Sequence, residues 1–158
     1  VMKSMTVAEN IQLATDKIRE NSFNFFSTFT HKSHVRERIE FCLGQVGLIE
    51  AIKQPVASLS HGDCRKLEIA MALASDAKLL LLDEPMAGLG PSETKEMIAL
   101  LNKLKGKQTI LLIEHDMDAV FALADRISVL VSGEIIATDE PDNIRRDSKV
   151  QSAYLGEA

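Results

Sequence analysis

At 158 residues and 17.4 kDa the chain has single-domain size, and its 46% hydrophobic content can supply a real core. A net charge of -5 and a pI near 5.4 argue against a sequence-independent grip on nucleic acid, which needs a basic face to displace counterions. No apolar run approaches the roughly 18 to 20 residues of a membrane-spanning helix, so a membrane role would have to come through a partner.

Val1-Met2-Lys3-Ser4-Met5 lacks the pattern of a secretion signal, and Cys42 and Cys64 form no CxxC pair. Both point to a reducing, cytoplasmic setting, and the opening on Val suggests a piece of something longer. Thr6-Val7-Ala8-Glu9 has capping-box spacing, and Val7, Ile11, Ala14 and Ile18 recur at helical intervals, which predicts an amphipathic helix over about residues 6 to 19. Between Asn21 and Thr30, polar residues alternate irregularly with Phe23, Phe25, Phe26 and Phe29, which reads as a loop packed by aromatics or a docking surface.

A second helix fits residues 34 to 46, with Val35, Ile39, Cys42, Leu43 and Val46 on one stripe and Gly47 as its stop. Pro55 marks a connection. Beyond it, Leu79 to Leu82 and Gln108 to Glu114 carry short apolar runs of the type that buried parallel strands give. Pro91 opens a helix between them whose Met97, Leu100, Leu101 and Leu104 share a face, completing a β-α-β unit. Met117, Val120, Phe121 and Ala124 suggest a short helix, and Ser132-Gly133 separates two strand-like runs as a hairpin turn. The chain thus divides by character into a helical front, 1 to 76, and an α/β back, 77 to 158.

Three places carry chemistry. Asp83 and Glu84 end an apolar strand, where ligands of open α/β sheets gather. One carboxylate there can hold Mg²⁺ while the next orients and deprotonates a water, the lesser alternative being a solvated pair in a strand-to-loop turn. Ser60 to Asp63 opens a helix that presents Leu67, Ala70, Met71 and Ala74 on one face, so this stretch is either an anion site at a helix N-terminus or an ordinary cap. His115 follows the second apolar strand and could donate to a phosphate, or be merely exposed.

Taken in order, the three resemble the ATP-binding-cassette (ABC) ATPases. Leu59-Ser60-His61-Gly62-Asp63 looks like the signature loop, Leu79 to Asp83 the Walker B strand, Glu84 the catalytic glutamate, Ala87-Gly88-Leu89-Gly90 the D-loop and His115 the switch histidine. The stretch Ser60 to Ala74 continued through Leu79 to Pro85, and the ending Ala153-Tyr154-Leu155-Gly156-Glu157, look like the branched-chain amino-acid uptake subgroup. The resemblance implies the α/β core of a P-loop NTPase with an α-helical subdomain, truncated here, because G-x-x-x-x-G-K-[ST] does not occur: Gly106-Lys107 has Leu101 where the first Gly belongs and Gln108 where the hydroxyl belongs.

Within such a family two subunits dimerise head to tail, so this chain would supply Asp83 (as the Mg²⁺ ligand), Glu84 and His115 to one ATP and Ser60 and Gly62 to the other. The implied partners are a second ATPase subunit and a transmembrane permease, with no nucleic acid, at the cytoplasmic face of the membrane. Two departures stand out: Asp63 replaces the usual Gln or Glu, and Gly90 the usual Asp or Asn. The competing classes are a non-transport ABC ATPase, which predicts a coiled-coil or zinc insertion that this sequence does not contain, and a non-catalytic interaction fragment. Without a P-loop the chain alone is expected to be inactive, and its core strands to lack a lateral partner or a covering layer.

Overall fold

The structure, a computed structural model, describes residues 1–16 and 30–155. It forms two compact units, Val1–Ile113 and Glu114–Ala158. The division at 76/77 follows element type, whereas packing keeps the helical front and the first strands in one unit.

The first unit opens with α1 (Val7–Asp16). Its start is a reciprocal capping box: the Glu9 carboxylate accepts from the Thr6 N–H (2.7 Å) and hydroxyl (2.8 Å), and the Glu9 N–H donates to Thr6 Oγ1 (3.3 Å). These bonds hold the Glu9 carboxyl below its ordinary pKa, the one from the Thr6 backbone contributing most. Val7 and Ile11 are fully buried, as their spacing requires. Ile18 and the Phe-rich stretch up to Phe29 lie outside the described residues.

Helix α2 (Thr30–Val46) starts four residues before the sequence expectation and buries Ile39, Cys42, Leu43 and Val46. It stops at Gly47, φ +75°, where the Leu48 N–H returns to the Leu43 carbonyl (2.9 Å) as a Schellman closure. Two short 3-10 turns, Ile49–Ala51 and Val56–Ser58, flank Pro55 and lead to α3 (His61–Ala74). Helix α3 buries Leu67, Ala70 and Ala74 as expected. Met71, however, is only half-buried, and Ile69 and Leu73 join the core instead. The helix packs on both α1 and α2. Cys42 and Cys64 are free thiols, and burial raises the Cys42 pKa.

Strand β1 (Leu79–Asp83), α4 (Pro91–Leu104) and β2 (Thr109–Ile113) form the expected parallel β-α-β unit, in register from Leu79↔Thr109 to Asp83↔Ile113. Helix α4 buries the four residues its spacing selects, Met97, Leu100, Leu101 and Leu104. The strands depart from full burial. Leu80 is buried, yet Leu79, Leu81, Leu111 and Ile113 are exposed, and among the described residues each strand pairs only with the other. This exposure agrees with the absent lateral partner or covering layer that the resemblance implies.

The second unit holds α5 (Met117–Leu123) and an antiparallel hairpin, β3 (Ile127–Val131) and β4 (Glu134–Asp139). Ser132 and Gly133 both have positive φ (+49° and +87°), the conformation a two-residue turn of this hand demands. Two helices absent from the sequence expectation, α6 (Pro141–Arg146) and α7 (Ser148–Leu155), complete it. Its core gathers Ile127, Val129, Ile144 and Val150, with Val120, Phe121 and Ala124 packed against them.

Candidate functional site

The start of α3 is built by Ser60. Its backbone is extended (φ -63°, ψ 165°), its hydroxyl accepts the Asp63 N–H at 3.0 Å, and its carbonyl accepts the Cys64 N–H at 3.0 Å as the first helical bond. Ser60 is therefore a true N-cap, and residues 61 and 62 occupy the first turn, where N–H groups lack intrahelical partners and the dipole favours an anion. Leu59 is half-buried, Ser60 and His61 are exposed, and Gly62 is buried.

The burial of Gly62 has a specific neighbour. A Cβ there would stand 2.7 Å from Glu93 Oε1, and Glu93 cannot swing away freely because its other oxygen accepts the Gly90 N–H at 3.1 Å. Glu93 is the third residue of α4 and so caps that helix while filling the space beside Gly62. His61 makes the second contact: Nε2 lies 3.3 Å from the Ala87 carbonyl, and a Cβ on Gly88 would come within 3.2 Å of the same nitrogen. Gly88 also has φ +77°, so glycine is favoured there on two counts. The loop at 59–63 and the loop at 87–90 are thus in contact through His61, and Gly62 abuts the helix that begins at Pro91.

Asp83 and Glu84 lead into that second loop. Asp83 is exposed at the end of β1, beside Ile113 of β2. Glu84 extends the ladder by donating its N–H to the Ile113 carbonyl (2.9 Å), then turns with φ +46°. A non-glycine residue rarely adopts that backbone, and such conformations concentrate at functional turns. The turn is tied by Ala87 N–H to Glu84 O (3.0 Å) and Leu89 N–H to Met86 O (3.1 Å) over buried Pro85 and Met86.

His115 belongs to the second unit, two residues past the end of β2. Its side chain is exposed, while that of Glu114 is almost fully buried and accepts the His115 N–H at 3.1 Å. Asp116 caps α5 by accepting the Asp118 and Ala119 N–H groups at 3.0 and 3.1 Å. The structure therefore brings Leu59–Asp63 together with Ala87–Gly90, places Asp83 and Glu84 at the entrance to the latter, and puts His115 in a separate unit.

Sequence reasoning missed Glu93 and Lys66. Pro91 followed two residues later by Glu93 is a helix-start pattern that could have found the first. Lys66 bridges Asp63 (3.3 Å) and Glu96 of α4 (2.7 Å), and nothing local announces a partner 30 residues away. Burial alone would pull the Lys66 pKa down. Its hydrogen bonds and charge contacts with Glu96 and Asp63 together outweigh that, and the pKa is raised.

A parallel β-α-β unit with an acidic strand end, preceded by a helix whose capped start meets the following loop, is the arrangement that the resemblance to ATP-binding-cassette ATPases implies. The family model for ABC transporters matches residues 1–87, and the chain belongs to that family. It is 38% identical, over 165 aligned positions, to the high-affinity branched-chain amino acid transport ATP-binding protein LivG of Escherichia coli K12 and to BraF of Pseudomonas aeruginosa. In both cases the match takes in all of this chain and 65% of the relative, so the chain spans just under two thirds of their length. Among solved structures, the ADP conformation of MJ1267, an ATP-binding cassette of an ABC transporter, is similar with a TM-score of 0.74 and 29% identity, covering 98% of this chain and 64% of that one. An inward-facing putative metal-chelate type ABC transporter gives a TM-score of 0.78 at 26% identity, covering 96% and 59%.

Proposed function

We propose that the chain is the signature-and-Walker-B portion of the ATP-hydrolysing subunit of an ABC importer for branched-chain amino acids or a related small solute. The observation that carries this reading is the contact between the capped start of α3 and the 87–90 loop, through His61 on Gly88 and Glu93 on Gly62. The two loops a head-to-tail ATPase pair needs at its interface thereby share one face of one subunit. The 38% identity with LivG and BraF over the whole chain supports the solute class.

In this reading Glu84, whose backbone turns with φ +46° directly after the strand, orients and deprotonates the attacking water. Asp83, an exposed carboxylate at the strand end, suits magnesium, which takes one or two protein carboxylates and completes its shell with water and phosphate oxygens. Bound there, Mg²⁺ would neutralise charge developing on the transferred phosphoryl group. As the resemblance implies, His115 would contact a γ-phosphate, and Ser60 and Gly62 that of the opposite subunit's nucleotide. The partners are a second such subunit and a membrane permease at the cytoplasmic face. No described helix is long and apolar enough to cross a membrane itself. The 1–76 front would act as the helical subdomain and 77–158 as part of the ATPase core.

The sequence offers no P-loop, so most phosphate affinity must come from elsewhere and the chain alone should not turn over ATP. The test is a chimera in which residues 1–158 replace the matching portion of LivG. It should hydrolyse ATP and support leucine uptake with the permease, and Glu84→Gln in it should trap an ATP-bound dimer with turnover nearly abolished. A folded chimera with no turnover, or a Glu84→Gln variant with normal turnover, would refute the proposal.

A further inference from the structure

Asp63 poses an electrostatic problem that the surrounding side chains answer. It is the third residue of α3, within the first turn, and its N–H is already taken by Ser60. A carboxylate there complements the helix dipole, but it also repels any second anion brought to the same turn. Lys66, one turn on, lies against it at 3.3 Å and is anchored from the far side by Glu96 of α4 at 2.7 Å. The Lys66 side chain is only 16% exposed, whereas those of Asp63 and Glu96 are 35% and 57% exposed, so the cation is the inner member of the triad.

We infer that Lys66 is a positioning residue for the signature loop, holding the Asp63 carboxylate back along α3 and neutralising it so that the start of the helix can accept the phosphate of a nucleotide. The inference rests on the function proposed above. Two further features support it. The raised pKa keeps Lys66 an ammonium throughout the physiological range. And Glu96 belongs to the helix whose Glu93 abuts Gly62, so the same two helices fix both the backbone and the charge of the loop. Replacing the ammonium by an isosteric apolar chain would leave Asp63 free to face the incoming phosphate.

The experiment is a double-mutant cycle in the LivG chimera, reading KM for ATP and kcat separately. Lys66→Met should raise KM about fivefold, the scale of one like-charge contact in a partly solvated site, with kcat changed less than twofold. In the Asp63→Asn background the same Lys66→Met change should leave KM where Asp63→Asn alone puts it, because no anion remains to be neutralised. A purely structural Lys66 would act equally in both backgrounds, as would a Lys66 that attracts nucleotide directly, and either result overturns the inference. Should Lys66→Met fail to fold by thermal unfolding, Lys66→Arg and Glu96→Gln decide the matter: the first should keep KM and the second raise it about twofold, and the reverse pattern overturns it. A folded chimera that never hydrolyses ATP sinks the functional reading and this inference with it. Turnover with an unchanged Lys66→Met KM sinks the inference alone.

Discussion

The two strand pairs of this chain solve the same problem in opposite ways. In β3–β4, apolar residues alternate with polar or exposed ones, and Ile127 and Val129 point into a core completed by Ile144 and Val150. One covering layer is enough, and the unit supplies it. In β1–β2 both faces are apolar: Leu80 is 2% exposed while its neighbour Leu81 is 69% exposed and the opposing Leu111 is 55% exposed. A strand that is apolar on both faces is designed for two layers. The hairpin fills a core on one face and bares the cross-strand pair Leu130 and Ile135 on the other, whereas the parallel pair bares Leu79, Leu81, Leu111 and Ile113, and the residues assigned to chemistry, Asp83 and Glu84, sit at the end of that more exposed pair.

The sharpest way to break this comparison is to place a charge on the buried face of β1. Leu80→Asp should cost more than ~4 kcal/mol, since an unpaired carboxylate would be buried and a packed side chain lost, and that rivals the whole stability of a small domain. Circular dichroism should then show unfolding of the first unit. A Leu80→Asp variant with a near-normal denaturation midpoint would mean that both faces of β1 are wet.

Next in size is Ile144→Ala, which opens a cavity beside Ile127 and Val129 and should cost about 2–4 kcal/mol. Hydrogen exchange should accelerate across residues 127–131 and 134–139 and remain unchanged in α3 and α4. Equal acceleration in both units would show that the hairpin is not self-sufficient. A smaller effect is expected at α1, where Thr6→Ala removes the cap and should cost about 1 kcal/mol by urea denaturation. Glu9 adds a pH signature. Its folded pKa is lowered, so its stabilisation is present above the unfolded carboxylate range and fades as pH falls through the lowered value. Glu9→Gln should flatten that acid limb, and an unchanged limb would show that other carboxylates govern it.

What could be read from the sequence was local. The Thr6–Glu9 box, the four-residue face of α4, the Ser132-Gly133 turn and the stop at Gly47 each depend on neighbours within a few positions, and each is found as expected. The Leu59–Asp63 cap was legible for the same reason. The turn at Glu84 with its positive φ, the contact of Glu93 with Gly62 and the Lys66–Glu96 bond were not. The last two arise only when α3 is set against α4, the first where the chain leaves the β1–β2 ladder, and no periodicity encodes either. Helices α6 and α7 were missed because six-residue and eight-residue helices offer too few turns for a stripe, although Pro141 at the first helical position was a usable sign. The apolar runs of β1 and β2 suggested burial, because such a run reports what a strand is suited to contact and not whether the contact is made; their exposure followed only from the family resemblance.

The smallest expected change in stability comes from the bare face itself. Leu81 and Leu111 are direct partners across the parallel ladder, and Leu79 and Ile113 extend the same side because residues two apart share a face. Lysine at position 81 keeps an aliphatic stem for the neighbouring leucines and lifts its charge into water, so Leu81→Lys should alter folding free energy by about 1 kcal/mol or less. It should act instead on association: an exposed apolar face and an unpaired strand edge are adhesive, and a lysine is the usual natural remedy. Light scattering across a concentration series should show self-association of the unaltered chain and its suppression in Leu81→Lys. If the variant loses several kcal/mol, the face is covered and the contrast with the hairpin fails. If the unaltered chain stays monomeric throughout, with residues 79–113 strongly protected from exchange, the remaining pair closes on itself and the expectation of a missing layer is wrong.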